Sequence, residues 1–139
     1  MKIVLFICLS FVSLNLSAEN WLKAGVNARG DMFYIDIDNI ENENEIVYYW
    51  NLIDFTQPTS IQARSHISKY KGHCVENKQT WLSYQYYSQH MGKGNRVTES
   101  LPVWNHYGST LNEIRSLTPG SVEYEVMKTA CGTLGTVSY

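Results

Sequence analysis

The stretch Glu45–Phe55, "EIVYYWNLIDF", decides how the rest of the chain is read. Ile46, Tyr48, Trp50 and Leu52 recur at every second position, the period of a β-strand and not of a helix. The alternate set, Val47, Tyr49, Asn51, Ile53 and Phe55, is nearly as apolar. Both faces of this strand are therefore expected to be covered, one of them by a helix or a partner.

Working outward, the same grammar recurs on both sides. Met32 to Ile37 alternates Phe33, Ile35 and Ile37 against Tyr34, Asp36 and Asp38, and the polar run Asn39 to Asn44, "NIENEN", breaks it. Trp21 to Val26 reads as a short first strand, followed by a turn over Asn27 to Asp31. Beyond the turn at Pro58-Thr59-Ser60, Arg64 to Cys74 reads as a strand of mixed polarity. Lys78 to Ser88 sets Leu82, Tyr84 and Tyr86 against Trp81, Ser83, Gln85 and Tyr87. "SQHMGKGN", Ser88 to Asn95, then separates this strand from Arg96 to Glu99, as a glycine-containing hairpin loop does. The stretch after Trp104 is irregular. Thr118-Pro119-Gly120-Ser121 opens a helix in the order of N-cap and N1 proline, with Val122, Val126, Met127 and Ala130 as its buried stripe and Cys131 at its end. The fold class is α+β, an antiparallel sheet of five or six strands with one C-terminal helix. No repeat, low-complexity tract or linker interrupts it.

The first residues set the compartment. Met1-Lys2 is a short positive start, Ile3 to Leu16 is an apolar run, and Leu16-Ser17-Ala18 ends in a small residue, the pattern of a signal peptide covering 1–18. That run is shorter than the roughly 20 residues a transmembrane helix needs. The mature domain is then 19–139, exported to the periplasm, the cell surface or the medium. Cys8 follows Leu5-Phe6-Ile7 in mid-run and not a lipobox triplet, so the chain is expected not to be lipidated. The formal charge of −2 becomes one unit more negative once Lys2 is removed, which gives no bulk attraction to nucleic acid.

Of three cysteines only Cys74 and Cys131 survive removal of the leader. In an oxidising compartment a disulfide is the default reading, with a metal or redox pair as the alternative. A bridge closing so long a loop contributes roughly 4 kcal/mol in the chain-entropy model. It would staple the helix to the strand ending at Cys74.

The sequence carries none of the familiar catalytic or metal-binding patterns. A Walker loop needs glycine where Tyr87 stands and Ser or Thr where Gly94 follows Lys93, so "SQHMGKGN" is a turn whose glycines supply positive φ. Asp36 and Asp38 fail as a calcium loop because Ile40 and Glu41 occupy the third ligand and glycine positions, and they read as solvent-facing polar residues. His66, His73, His90 and His106 lack zinc spacing, Gly120-Ser121-Val122 lacks a nucleophile elbow, and His73 faces away from Cys74 on a strand. The expectation is a non-enzyme with no cofactor and no metal. Aromatic surface is abundant instead, with ten Tyr and four Trp, adjacent pairs at Tyr48-Tyr49 and Tyr86-Tyr87 placing rings on both faces.

In this order the motifs resemble the surface-adhesin protein E family of bacterial cell-envelope proteins. The likeness runs through "AENWLKAG", "FYIDIDNI", "VYYWNLIDF", "GHC", "WLSYQYYSQHMGKG", Trp104 and "TPGSVEYEVMKTAC", nearly the whole mature chain. It implies an antiparallel sheet with a C-terminal helix tied by the cysteine bridge, often a homodimer through the sheet. It also implies an adhesin that binds host extracellular-matrix and serum proteins such as laminin and vitronectin. The chain departs from the family in lacking a lipobox and in a longer link from Trp104 to Leu117 into the helix. The shared motifs are scaffold, so candidate partner contacts are taken from residues that a scaffold explains poorly. These are Lys69, Tyr70 and Lys71, read as loop residues before Cys74, and His90 and Lys93 in "SQHMGKGN". The alternative is a periplasmic accessory or small-ligand-binding protein, with a hydrolase third. A large apolar pocket with convergent polar groups would favour a small ligand, and a flat aromatic patch a protein.

Overall fold

The computed structural model describes residues 19–98 and 111–132. The leader, Trp104, His106 and most of the link from Trp104 lie outside the described residues. One antiparallel sheet dominates, built from β1 (Trp21–Val26), β2 (Met32–Asp36), β4 (Ile46–Asp54), β5 (Ser65–His73), β6 (Lys78–Tyr87) and β7 (Arg96–Val97) in that order. Two further strands join it, β3 (Glu41–Glu43) on β4 and β8 (Ile114–Ser116) on β6. One helix, α1 (Val122–Cys131), follows. The expected class holds: an antiparallel sheet, one C-terminal helix and a bridge between them.

β4 and β5 form the spine, paired without a break from Ile46↔His73 to Asp54↔Ser65. The apolar alternation of β4 splits cleanly. Val47, Tyr49 and Ile53 point to the inner face and are buried with Phe33, Ile35, Tyr70, Trp81 and the helix residues Val126, Met127 and Ala130. Two glycines let the helix come close. A Cβ on Gly25 would lie 2.7 Å from Val122, and one on Gly72 would lie 3.0 Å from both Met127 and Val47, so β1 and β5 have no side chain where α1 docks.

Ser121 is the N-cap of α1: its hydroxyl accepts from the Tyr124 N–H at 3.3 Å, and Glu123 and Glu125 stand in the first turn, where the helix dipole favours acid. Pro119 is therefore not the first helical residue as expected. It precedes the cap, and Gly120 at φ +89° turns the chain between them. At the other end Cys131 meets Cys74 with the Cα atoms 5.8 Å apart, and Lys128 donates to the Cys74 carbonyl at 3.2 Å.

Four local readings are corrected. "NIENEN" contains β3, whose polar residues form a strand only because β4 supplies the backbone partners. The irregular stretch before the helix contains β8 for the same reason. In β6 a bulge at Leu82 shifts the register between Lys69↔Ser83 and Tyr70↔Trp81, so Trp81, Tyr84 and Tyr86 share the inner side and Trp81 packs on Tyr84 at 4.8 Å. Asp36 is buried and not solvent-facing: its carboxylate accepts from the Asp38 N–H at 3.2 Å and the Asn39 side chain at 2.8 Å, tying down the turn after β2.

Candidate functional site: the face away from the helix

The other face of the spine carries Ile46, Tyr48, Trp50, Leu52 and Asp54 of β4 beside His73, Lys71, Lys69, Ile67 and Ser65 of β5. Among the described residues no helix covers it, so of the two covers expected for β4 the helix takes the inner face alone. Tyr48 and Trp50 are only half-buried. The Lys69 Nζ lies 5.6 Å from the Trp50 ring centroid and 6.0 Å from that of Tyr48, within cation–π range of both. Lys71 stands opposite Tyr48. Among the described residues neither lysine has a carboxylate partner, whereas Lys78 pairs with Glu76 and His90 Nδ1 lies 3.0 Å from Asp54.

The far end of this face is closed by "SQHMGKGN". Asp54 and Ser65, opposite each other across β4 and β5, hold it from two sides. Asp54 Oδ1 accepts from the Met91 N–H at 3.0 Å and sits 3.0 Å from His90 Nδ1. Ser65 donates its hydroxyl to the Gln89 carbonyl at 2.6 Å and accepts from the Gly92 N–H at 2.8 Å. The loop is a turn, with Met91, Gly92 and Gly94 at positive φ. Gly92 rests on Ile67 and Leu52, where a Cβ would come within 2.7 Å of the Ile67 methyl, so these two apolar side chains are sealed and Leu52 is fully buried.

The expected contact residues are thus sorted. Lys69 and Lys71 are not in a loop but in the middle of β5, and they share the open face with the loop that carries His90 and Lys93. Tyr70 is removed from the surface set: it alternates inward, is buried, and stacks on Tyr49 with centroids 5.7 Å apart. Arg64, which sequence reasoning missed, joins Ser88, Gln89, His90, Met91 and Lys93 around an open groove of about 390 Å³. Its signal was available as a cation immediately before a strand in an acidic chain.

Two inner features look chemical and are structural. Ser68 Oγ lies 3.0 Å from His66 Nε2, the reach of a nucleophile and its base, but both are buried and the Trp81 indole N–H donates to the same hydroxyl at 3.0 Å. This is a satisfied core network. Between sheet, β8 and helix lies a cavity of about 30 Å³ lined by Tyr49, Asn51, Gln79, Trp81, Arg115 and Glu123 among others, room for a water-sized guest. Among the described residues no three His, Cys, Asp or Glu side chains converge as metal ligands, and no helix is long and apolar enough to cross a membrane.

The fold is thus a meandering antiparallel sheet with one helix stapled to one face and rings and lysines on the other. The chain belongs to the surface-adhesin protein E family, whose model matches residues 21–132. Among solved structures it is similar to Haemophilus influenzae protein E, at 19% identity over 86% of this chain and 89% of that one, with a TM-score of 0.64. A second crystal form of that protein aligns at 20% identity over 81% and 87%, with a TM-score of 0.59. Protein E from non-typeable Haemophilus influenzae aligns at 19% over 82% and 85%, with a TM-score of 0.54. Identities this low speak for the shared fold. No curated protein matches the chain.

Proposed function

We propose that residues 19–139, freed of the leader 1–18, act at the cell envelope or outside it as an adhesin-like domain. The domain binds a host matrix or serum protein such as laminin or vitronectin through the open face of the sheet and turns over no substrate. One observation carries this reading. The Lys69 ammonium is held beside Trp50 and Tyr48 on the face away from the helix, with no carboxylate paired to it among the described residues. Tyr and Trp are among the residues that carry most of the energy of protein interfaces, and the adjacent lysine gives this face a charge that selects its partner. The small-ligand alternative finds less support, because the enclosed inner cavity of about 30 Å³ is far below the roughly 300–1,000 Å³ of ligand pockets, and the groove of about 390 Å³ is open to solvent with Met91 as its one apolar lining residue.

The homodimer through the sheet belongs to the same proposal. Edge strand β1, with Leu22 and Val26 exposed, is the side whose pairing leaves the binding face open. Sedimentation giving a monomer at tens of micromolar contradicts the dimer. For the function, the mature domain is passed over immobilised laminin and vitronectin beside the Lys69→Ala/Lys71→Ala and His90→Ala/Lys93→Ala variants. Micromolar binding weakened by the first pair is expected, and absence of binding to either protein contradicts the reading.

A further inference from the structure

We propose that the partner's contacting segment is an extended acidic peptide laid along β5, with carboxylates at alternate positions. The proposal rests on the reading of the open face as the binding face and adds the chemistry of its occupant.

The cations on this face form a line and not a scatter. Side chains on one face of a strand recur every second residue, about 6.8 Å apart, which is the distance between Lys69 and Lys71 along β5 and also between alternate side chains of an extended peptide. Arg64 precedes the strand, and the groove it lines with His90 and Lys93 lies at the Ser65 end, where the same loop is bonded to Ser65 and packed on Ile67. From Arg64 to Lys71 the strand spans roughly 23 Å, the length of about seven extended residues, and a peptide that follows it passes over the loop where Gly92 covers Ile67. Along this line His90 Nδ1 is taken up by Asp54 Oδ1 at 3.0 Å, and among the described residues Arg64, Lys69, Lys71 and Lys93 form no ion pair with a carboxylate and are the cations that meet a ligand.

The other flank of the face has the opposite sign. Glu41 and Glu43 of β3 pair with Tyr48 and Ile46, so the surface runs from acid on β3, across the rings of β4, to base on β5. An acidic segment is repelled from the first flank and drawn to the second, which fixes its lateral position. The rings between them serve its apolar atoms, and Lys69, already held against Trp50 and Tyr48, loses little rotamer freedom on pairing.

The test uses two blocked heptapeptides of equal composition, one alternating glutamate and serine, the other with its four glutamates in one block. Binding to the mature domain is followed by NMR through the Trp50 indole N–H resonance. The alternating peptide is expected to bind at least fivefold more tightly than the block peptide. Its binding should fall at least tenfold in Lys69→Ala/Lys71→Ala, and also when salt is raised from 0.05 to 0.5 M. The melting temperature of that variant is measured beside it, and the milder Lys69→Gln/Lys71→Gln pair replaces it if it fails to fold. Equal binding of the two peptides, binding indifferent to the lysines, or no binding overturns the proposal. If the peptides fail while laminin or vitronectin still binds in a manner sensitive to Lys69 and Lys71, this inference falls and the reading beneath it stands. If the lysines matter to neither, both fall.

Discussion

Asp54 and Ser65 face each other across β4 and β5, and between them they make four hydrogen-bonding contacts to the loop that closes the open face. Asp54→Ala removes a charged acceptor from the Met91 N–H and from His90, and Ser65→Ala strands the Gly92 N–H and the Gln89 carbonyl. Each substitution is expected to cost about 1–3 kcal/mol. Urea unfolding measures the loss, and amide exchange at Met91 and Gly92 should accelerate in both variants. Unchanged exchange there would show that the loop is held by something else.

The Cys74–Cys131 bridge joins the end of β5 to the end of α1 across a separation of 57 residues. Replacing both cysteines by alanine should lower stability by up to roughly 4 kcal/mol and the melting temperature by on the order of 10 °C. Thiol titration of the denatured, unreduced protein checks the pairing. Two reactive thiols would refute it.

Tyr49 is buried with no protein hydrogen bond to its hydroxyl among the described residues, and burial, followed by the proximity of Tyr70 and Glu123, raises its pKa well above the ordinary tyrosine value. The fold therefore holds the neutral phenol more tightly than the unfolded chain does. That contribution is fully present below the unfolded value of about 10 and is lost as pH rises beyond it. Tyr49→Phe should leave stability at pH 7 within about 1 kcal/mol of wild type, since an unpaired hydroxyl contributes little, and should flatten the alkaline decline. An equally steep decline above pH 10 in the variant would sink this account.

Cleavage after Ala18 is expected from the apolar run Ile3 to Leu16 and its small-residue end. Terminal sequencing of exported protein should begin at Glu19. Protein recovered outside the cytoplasm that still starts at Met1 would contradict the leader.

Much of this architecture was legible because it is local. β4 announces itself by period two, and the stripe Val126, Met127 and Ala130 of α1 by helical spacing. What escaped depends on partners distant in sequence. β3 and β8 are three-residue strands too short to show an apolar alternation, paired with the backbone of β4 and β6. The bulge at Leu82 moves Tyr84 and Tyr86 to the side of Trp81, which no alternation count foresees. Lys69 and Lys71 stood out by charge. Their placement in mid-strand, the inward turn of Tyr70 and the arrival of Arg64 beside His90 and Lys93 needed the pairing of β5 with its neighbours.

Lysine footprinting of the bound domain tests the location of the binding face most directly. The mature domain is methylated at its lysines with and without saturating laminin or vitronectin, and modification is read residue by residue by mass spectrometry. Lys69, Lys71 and Lys93 should each be protected severalfold, while Lys128, on the helix and turned to the Cys74 carbonyl, should react equally in both states. A bound domain whose Lys69 and Lys71 are modified as fast as in the free one would contradict the open face as the site of binding.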